Sequence, residues 1–194
     1  MEAKNIPVAD RPEVSLANYM AVYEYYRDLE PDPIIARLGH LAVSLAYWPQ
    51  AVFADGAGDA IGSDIDKGQR IMLLADHVFA EDTVHLPALL LRERVFRPMI
   101  GRTNIYGMSP LLSADSRHAT PTRYLFDGLG MIPVFRRKDS KYLTGLSEDE
   151  KANLQKGARK ALIETVAHKL DLGFHPTMFP EGERSENFSD NETD

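Results

Sequence analysis

Residues 70–82 of the chain, RIMLLADHVFAED, contain a short apolar run at 71–75 that ends abruptly in charged residues. Such a run is typical of a strand buried on both faces of a parallel sheet. The pattern predicts that a helix follows, through residue 91. Strands that alternate with helices build α/β proteins, and we therefore expect an α/β fold with a mostly parallel sheet flanked by helices.

Predicted strands and helices continue to alternate from residue 91 towards the C-terminus. Ser147 and Glu150 form the S-x-x-E pattern of a capping box, which predicts the start of a long amphipathic helix. Gly173 is placed to end that helix. The other predicted elements are strands at 96–100, 131–135 and 177–179 and a helix at 118–129.

The N-terminal part of the chain has helical rather than strand periodicity. Apolar side chains recur at helical spacing in residues 15–29. Pro33 suits the first turn of a second helix, which we expect to reach about residue 47. Residues 55–69 are rich in glycine and aspartate and predict a loop. We therefore expect an N-terminal helical extension over residues 1–58 and a core domain over residues 59–194.

Composition limits the classes of protein that fit this chain. It has 194 residues, of which 44% are hydrophobic, and it has no cysteine. Disulfides, thiolate metal sites and cysteine nucleophiles are thereby excluded. The first residues lack the apolar core of a secretory signal. The longest uncharged run, residues 38–54, contains Pro49 and is too short and too interrupted for a membrane span. We expect a cytoplasmic protein.

The net charge of −7 is spread unevenly along the chain. Residues 92–141 carry 10 basic and 4 acidic side chains, while the rest of the chain is acidic. A basic segment in an acidic protein favours a small anionic ligand, such as a phosphate headgroup, over nucleic acid, which calls for a basic domain. A solvated charged face is the alternative interpretation.

A histidine and an aspartate follow the first predicted strand. Four residues separate His77 from Asp82, which is about one helical turn. A carboxylate at this spacing can orient the imidazole and stabilise its protonated form. The same spacing also fits a surface histidine near a helix N-terminus, where acidic side chains are favoured. The spacing alone leaves both interpretations open.

A pair of arginines follows the strand predicted at 131–135. Residues 130–137 read GMIPVFRR, so Arg136 and Arg137 come at the carboxyl end of the strand. Guanidinium groups suit phosphate oxygens, although solvated arginines would give the same pattern. Side chains alternate along an extended strand, so only one of the two arginines would face a given site.

The last polar cluster, FPEGERS at 179–185, follows the strand predicted at 177–179. Gly182 has no Cβ and allows a ligand to approach the backbone. Glu181 and Arg184 can pair with each other or contact a substrate. All three clusters therefore follow strands, where α/β folds place their ligand sites.

The three clusters in this order resemble the glycerolipid acyltransferase family, of the 1-acylglycerol-3-phosphate acyltransferase type. That family shows N-H-x4-D, then G-x-I-P-V-x-R, then F-P-E-G-T-R-S. Residues of this chain that match are His77, Asp82, Gly130, Ile132, Pro133, Val134, Arg136, Phe179, Pro180, Glu181, Gly182, Arg184 and Ser185. Asp76 and Glu183 depart from the asparagine and threonine that are usual in the family. The family's fourth motif is missing, so we expect the core domain to be incomplete at its C-terminal side.

The resemblance implies transfer of a fatty acyl group from an acyl thioester, acyl-CoA or acyl carrier protein, to the hydroxyl of a lysophospholipid. His77 would act as the general base and Asp82 would orient it. Substrate-binding residues would be Arg136, Glu181, Gly182 and Arg184. It implies no metal and no cofactor beyond the thioester co-substrate, and it selects Arg136 over Arg137 for the phosphate.

A lipid substrate also implies a role in phospholipid biosynthesis, with peripheral contact at the inner face of the cell membrane. The N-terminal helices supply the aromatic side chains for such an interface, although ordinary packing on the sheet is the alternative. These side chains are Tyr23, Tyr25, Tyr26, Trp48 and Phe53.

Two other functions remain open. His77, Glu81, Asp82 and His85 suggest metal-dependent hydrolysis, although their spacing matches no H-E-x-x-H motif. The missing fourth motif and Glu183 suggest a catalytically incomplete family member that binds lipid or acyl carrier without turnover.

Overall fold

The computed structural model describes residue 7 and residues 10–74, 82–108 and 120–178. The α-helices of these ranges are α1 (Tyr19–Asp28), α2 (Pro33–Ala46), α3 (Ala57–Asp66), α4 (Asp82–Arg92), α5 (Thr120–Gly128) and α6 (Glu148–Asp171). The strands are β1 (Leu73–Leu74), β2 (Thr103–Met108), β3 (Met131–Pro133) and β4 (His175–Met178). Short 3₁₀ helices span Leu16–Asn18, Arg94–Met99 and Arg137–Tyr142.

The four described strands form one sheet in the order β1–β4–β2–β3, and every neighbouring pair is parallel. Helices separate successive strands along the described parts of the chain, and α1, α2 and α3 precede β1. The α/β class with a parallel sheet and N-terminal helices, predicted from the alternation of apolar runs, is thereby confirmed.

The two faces of the sheet bury different sets of side chains. Tyr106 and Ile132 pack with α1 and with Ala158 of α6 in one buried cluster. Leu73 packs on the other face against a cluster built around Leu90 and Phe96. Side chains of adjacent residues in a strand point to opposite faces, so the sheet is a middle layer between two helical layers.

Helix α1 is part of the first buried cluster. Tyr23, Tyr25 and Tyr26 are all buried there, which confirms the packing alternative for these three aromatic side chains. Trp48, by contrast, is largely exposed. The domain boundary at residue 58 falls within α3 and stays a prediction.

The strand predicted at 96–100 is wrong. Residues Arg94–Met99 form a 3₁₀ helix that contains Pro98, and proline has no N–H to donate to a sheet ladder. The second strand, β2, is Thr103–Met108, whose Ile105 and Tyr106 are buried on opposite faces. Strand β2 begins with the polar residues Thr103 and Asn104, so it lacks the continuous apolar run that predicts a buried strand.

The loop predicted at 55–69 is also wrong, because α3 occupies most of it. Ile61 and Ile65, one helical turn apart, pack against the cluster of Leu90 and Phe96. Gly56 has a φ of 75° immediately before the helix, a conformation that suits glycine. Tertiary packing therefore outweighs the weak helix propensity of glycine and aspartate.

The starts of α2 and α6 agree with the sequence patterns. Pro33 begins α2, and the Asp32 carboxylate accepts hydrogen bonds from the N–H groups of Ile34 and Ile35 at 2.8 and 3.0 Å. The capping box of Ser147 and Glu150 opens α6, as predicted.

Candidate active site

The carboxyl ends of all four strands lie at one edge of the sheet, because the strands are parallel. The register aligns Leu74 of β1 with Met178 of β4, Met178 with Tyr106 of β2, and Tyr106 with Ile132 of β3. The chain continues from this edge into each of the three sequence clusters. Parallel sheets commonly bind their ligands at such an edge.

The order of the strands in the sheet determines the distances between the starts of these clusters. The chain leaves β1 towards His77 and leaves β4 towards Glu181 and Arg184, and these two strands are hydrogen-bonded neighbours. The segment of Arg136 follows β3, at the opposite side of the sheet. Three interstrand spacings, about 14 Å in all, separate β1 from β3.

Most of the predicted site residues lie outside the described ranges. His77, Glu181, Gly182 and Arg184 are in the segments 75–81 and 179–194, which the structure does not describe. Asp82 is the first residue of α4, but its side chain is also outside the description. The assignments of these five residues stay predictions.

Arg136 is the predicted site residue whose surroundings are defined. Its backbone N–H donates to Oδ2 of Asp139 at 2.7 Å, and its Nη2 lies 3.6 Å from Oδ1 of the same carboxylate. Asp139 is buried, and its own N–H donates to the Arg136 carbonyl oxygen at 2.9 Å. One carboxylate therefore holds both the backbone and the guanidinium of Arg136.

The strand alternation argument for choosing Arg136 over Arg137 does not apply. Strand β3 ends at Pro133, and Arg137 is the first residue of a 3₁₀ helix. The difference between the two arginines lies instead in exposure: Arg137 is exposed, whereas Arg136 is half-buried.

Helix α1 supports the segment that leads to Arg136. The Tyr23 hydroxyl donates to the Pro133 carbonyl oxygen at 3.1 Å, and its ring meets Phe135 edge-on at 5.6 Å between centroids. Burial holds the pKa of the Tyr23 hydroxyl above its ordinary value, and the nearby Asp139 carboxylate raises it further. Tyr23 therefore remains a neutral hydrogen-bond donor at physiological pH.

One of the basic side chains of residues 92–141 is buried and forms an ion pair inside the protein. The Nε of Arg123 lies 3.1 Å from the Asp127 carboxylate, and both side chains are buried. Arg123 therefore stabilises the fold rather than presenting its charge at the surface, and the expectation of an anionic ligand rests on the remaining basic side chains.

Sequence reasoning missed Asp139 and Tyr23 as parts of the Arg136 environment. The R-x-x-D spacing of Arg136 and Asp139 resembles a capping pattern and is a usable signal for a contact across one turn. Nothing in the sequence connects Tyr23 with Pro133, because this contact spans 110 positions.

Neither metal binding nor membrane crossing finds support in the described residues. No group of three or more potential metal-ligating side chains occurs among them. The side chains of the alternative metal hypothesis, at positions 77, 81, 82 and 85, lie outside this description. No helix in the described ranges combines the length and apolar character needed to span a bilayer.

Comparison with family models, with curated proteins and with solved structures found no match. The functional assignment therefore depends on the three sequence clusters and on the sheet edge to which their strands lead.

Proposed function

We propose that this protein is an acyltransferase that moves a fatty acyl group from an acyl thioester to the hydroxyl of a lysophospholipid such as 1-acylglycerol-3-phosphate. One observation supports this most: β1, β3 and β4, which precede the three clusters, are parallel and end at the same edge of one sheet. The resemblance requires such a common edge, and an antiparallel strand would have excluded it.

The chemistry needs a base and no enzyme nucleophile. His77 takes the proton of the acceptor hydroxyl while its oxygen attacks the thioester carbonyl. The tetrahedral intermediate then collapses, the C–S bond breaks, and the imidazolium returns the proton to the leaving thiolate. Asp82 orients the imidazole and stabilises its positive charge. The absence of cysteine is compatible with this direct transfer.

The arginines bind the acceptor. Arg184 follows β4, the neighbour of β1, whereas Arg136 follows β3 at the other side of the sheet. The two arginines bind the phosphate of the same lipid whose hydroxyl is deprotonated by His77. Glu181 and Gly182 shape the turn that brings the backbone close to the substrate. Such a lipid acceptor puts the protein at the inner face of the cell membrane as a peripheral enzyme.

Direct assay of thioester cleavage tests this function. The 194-residue chain is incubated with lysophosphatidate and a thioester donor, either acyl-CoA or acyl carrier protein loaded with a fatty acyl group, and the released thiol is measured with a chromogenic reagent. The protein contributes no background because it has no cysteine. Mass spectrometry identifies the diacyl product. His77→Ala should lower turnover at least a hundredfold, since general-base catalysis contributes about 10²–10⁴ in rate.

Control variants separate catalysis from folding. His168→Ala removes a histidine near the end of α6, which leads to the amino end of β4, and turnover should stay unchanged. Arg184→Ala should raise the acceptor KM because it removes a phosphate contact. Product formation by His77→Ala at the wild-type rate would overturn the assignment of the base. Lysolipid binding without turnover by the wild-type chain would favour the non-catalytic alternative.

A further inference from the structure

An apolar stripe runs along the exposed side of α2. Ile34, Leu38, Leu41 and Leu45 recur at intervals of four, three and four residues, which places them within an arc of about 60° around the helix. Trp48 follows on just beyond the helix end. All five side chains are between 46% and 73% exposed. A continuous stripe of this kind marks an interaction surface, whereas single exposed apolar residues do not.

The opposite side of α2 is already used in packing. Ala36, His40 and Ser44, at successive helical turns, are buried, and α2 packs against α4, where Ala88 is completely buried. Helix α2 therefore contacts the rest of the protein through its other side, and the stripe is not part of that contact. The stripe is an exposed apolar face on a helix whose other face is already packed.

Two arginines, Arg37 and Arg92, lie beside the stripe. Arg37 is the one Lys, Arg, Asp or Glu residue between positions 33 and 54, and it lies on α2 beside the stripe. The guanidinium of Arg92 stacks on the Trp48 ring, with its carbon 3.3 Å from the ring centroid. An apolar face edged by arginine and tryptophan matches a bilayer with anionic headgroups.

Charge also argues against a second copy of the chain as the occupant. A twofold dimer brings the same patch of both protomers together. Arg37 and Arg92 would then face like charges, and α2 offers no acidic side chain on this face to pair with them.

We propose that the α2 stripe, Ile34, Leu38, Leu41, Leu45 and Trp48, binds the surface of an anionic phospholipid bilayer. The helix lies in the plane of the interface, its leucines enter the acyl region and its arginines contact headgroup phosphates. This inference deepens the proposed function, on which the membrane location rests, by naming the surface that contacts the bilayer; vesicle binding is measured separately from acyl transfer, so each can fail without the other.

Trp48 reports directly on this surface, since it is the one tryptophan of the chain. The full chain is mixed with vesicles of phosphatidylcholine and the anionic lipid phosphatidylglycerol, or with vesicles of phosphatidylcholine alone. We expect a blue shift of the tryptophan emission with the anionic vesicles, quenching by lipids brominated on the acyl chain, and weaker binding to the neutral vesicles. Neither substrate is present, so the result is independent of catalysis.

Variants locate the contact. The double variant Leu38→Ser/Leu45→Ser should lower vesicle partitioning at least tenfold. Arg37→Gln should lower it about fivefold on anionic vesicles only, which corresponds to about 1 kcal/mol for one basic side chain near the surface. The matched control is Ile163→Ser on α6, because Ile163 is 63% exposed and lies outside the stripe, and it should bind as the wild type does.

Two results would overturn the proposal. One is a Trp48 emission that does not change in the presence of either kind of vesicle. The other is a concentration-dependent dimer, seen by analytical ultracentrifugation, that the double variant abolishes, because the stripe would then be covered by a second copy. Far-ultraviolet circular dichroism of each variant checks that the fold is retained.

Discussion

The Tyr25 hydroxyl donates to Oδ2 of Asp127 at 2.8 Å, joining α1 to α5 across 102 positions of the sequence. The same buried carboxylate accepts from the Tyr26 hydroxyl at 2.9 Å and contacts the guanidinium groups of Arg11 and Arg123 at 2.6 and 3.1 Å. Asp127 is therefore the common acceptor that connects the N-terminal segment with the helix before β3.

Replacement of Asp127 by asparagine should strongly destabilise the protein. The substitution leaves the buried charges of Arg11 and Arg123 without their carboxylate, and breaking a buried ion pair in this way costs about 3–5 kcal/mol. Urea unfolding followed by circular dichroism measures the loss. Tyr25→Phe, which removes one of the four donors, should cost only about 1 kcal/mol. Equal losses in the two variants would show that the carboxylate is not the centre of this network.

His40 should make the protein less stable in acid. Burial lowers the pKa of its imidazole from 6.5 to about 4, and neither ring nitrogen has a hydrogen-bond partner among the described residues. Between pH 6.5 and 4 the unfolded chain binds a proton that the folded chain does not, so the free energy of unfolding falls as the pH falls through this range. The pKa difference corresponds to about 3 kcal/mol at the acid end.

The variant His40→Leu tests this pH dependence. It removes the titrating group, so its free energy of unfolding should exceed that of the wild type at pH 4.5, and the difference should shrink towards pH 7. Burial also lowers the pKa of His175, but His175 is present in both proteins and does not affect the comparison. A difference that stays constant between pH 4.5 and 7 would contradict the prediction.

Asp139→Asn should weaken acceptor binding by the proposed enzyme more than it affects the chemical step. Asp139 does not bind substrate; it positions Arg136 through the backbone and side-chain contacts described above. We expect a several-fold rise in the acceptor KM with little change in kcat, because asparagine keeps an acceptor for the backbone N–H but loses the charge that orients the guanidinium. Steady-state kinetics with varied lysophosphatidate measure both constants.

Asp149→Asn is the control for that experiment, because Asp149 is an exposed residue in the first turn of α6. Its kinetic constants should match those of the wild type. An unchanged acceptor KM in Asp139→Asn would remove Asp139 as a positioning residue.

Ser147→Ala should destabilise the protein by about 1 kcal/mol, the usual value for loss of an N-cap side chain. The Ser147 hydroxyl oxygen accepts from the Glu150 N–H at 3.3 Å, and the Glu150 carboxylate accepts from the Ser147 N–H at 2.8 Å. Ser147→Thr keeps the oxygen and should retain most of the stability. Thermal unfolding of the three proteins gives the comparison, and an equal loss in both variants would mean that the cap makes no contribution.

Several features of the fold could be predicted because their causes are local. A proline in the first turn began α2, an S-x-x-E pattern began α6, and Gly173, with a φ of 85°, follows its end. Each depends on side chains within a few residues of the backbone groups that they satisfy. The apolar runs also predicted that strands occur near residues 73 and 131.

Other features could not be predicted because distant residues decide them. Helix α3 has a composition typical of loops, and its isoleucines favour a helix only because Leu90 and Phe96 are there to pack against them. Strand β2 begins with polar residues and lies at the centre of the sheet, between β4 and β3. Propensity cannot identify such elements, since their stability comes from contacts formed after the chain has folded.

By itself, the sequence determined the α/β class, the starts of α2 and α6 and the end of α6, because these depend on composition and on spacings of a few residues. Tertiary structure alone decided the strand order that brings the ends of β1 and β4 side by side, the burial of Tyr23 and the exposure of the α2 stripe. These features depend on contacts between residues that are far apart in the sequence. Such contacts stabilise the folded chain as a whole rather than any one segment.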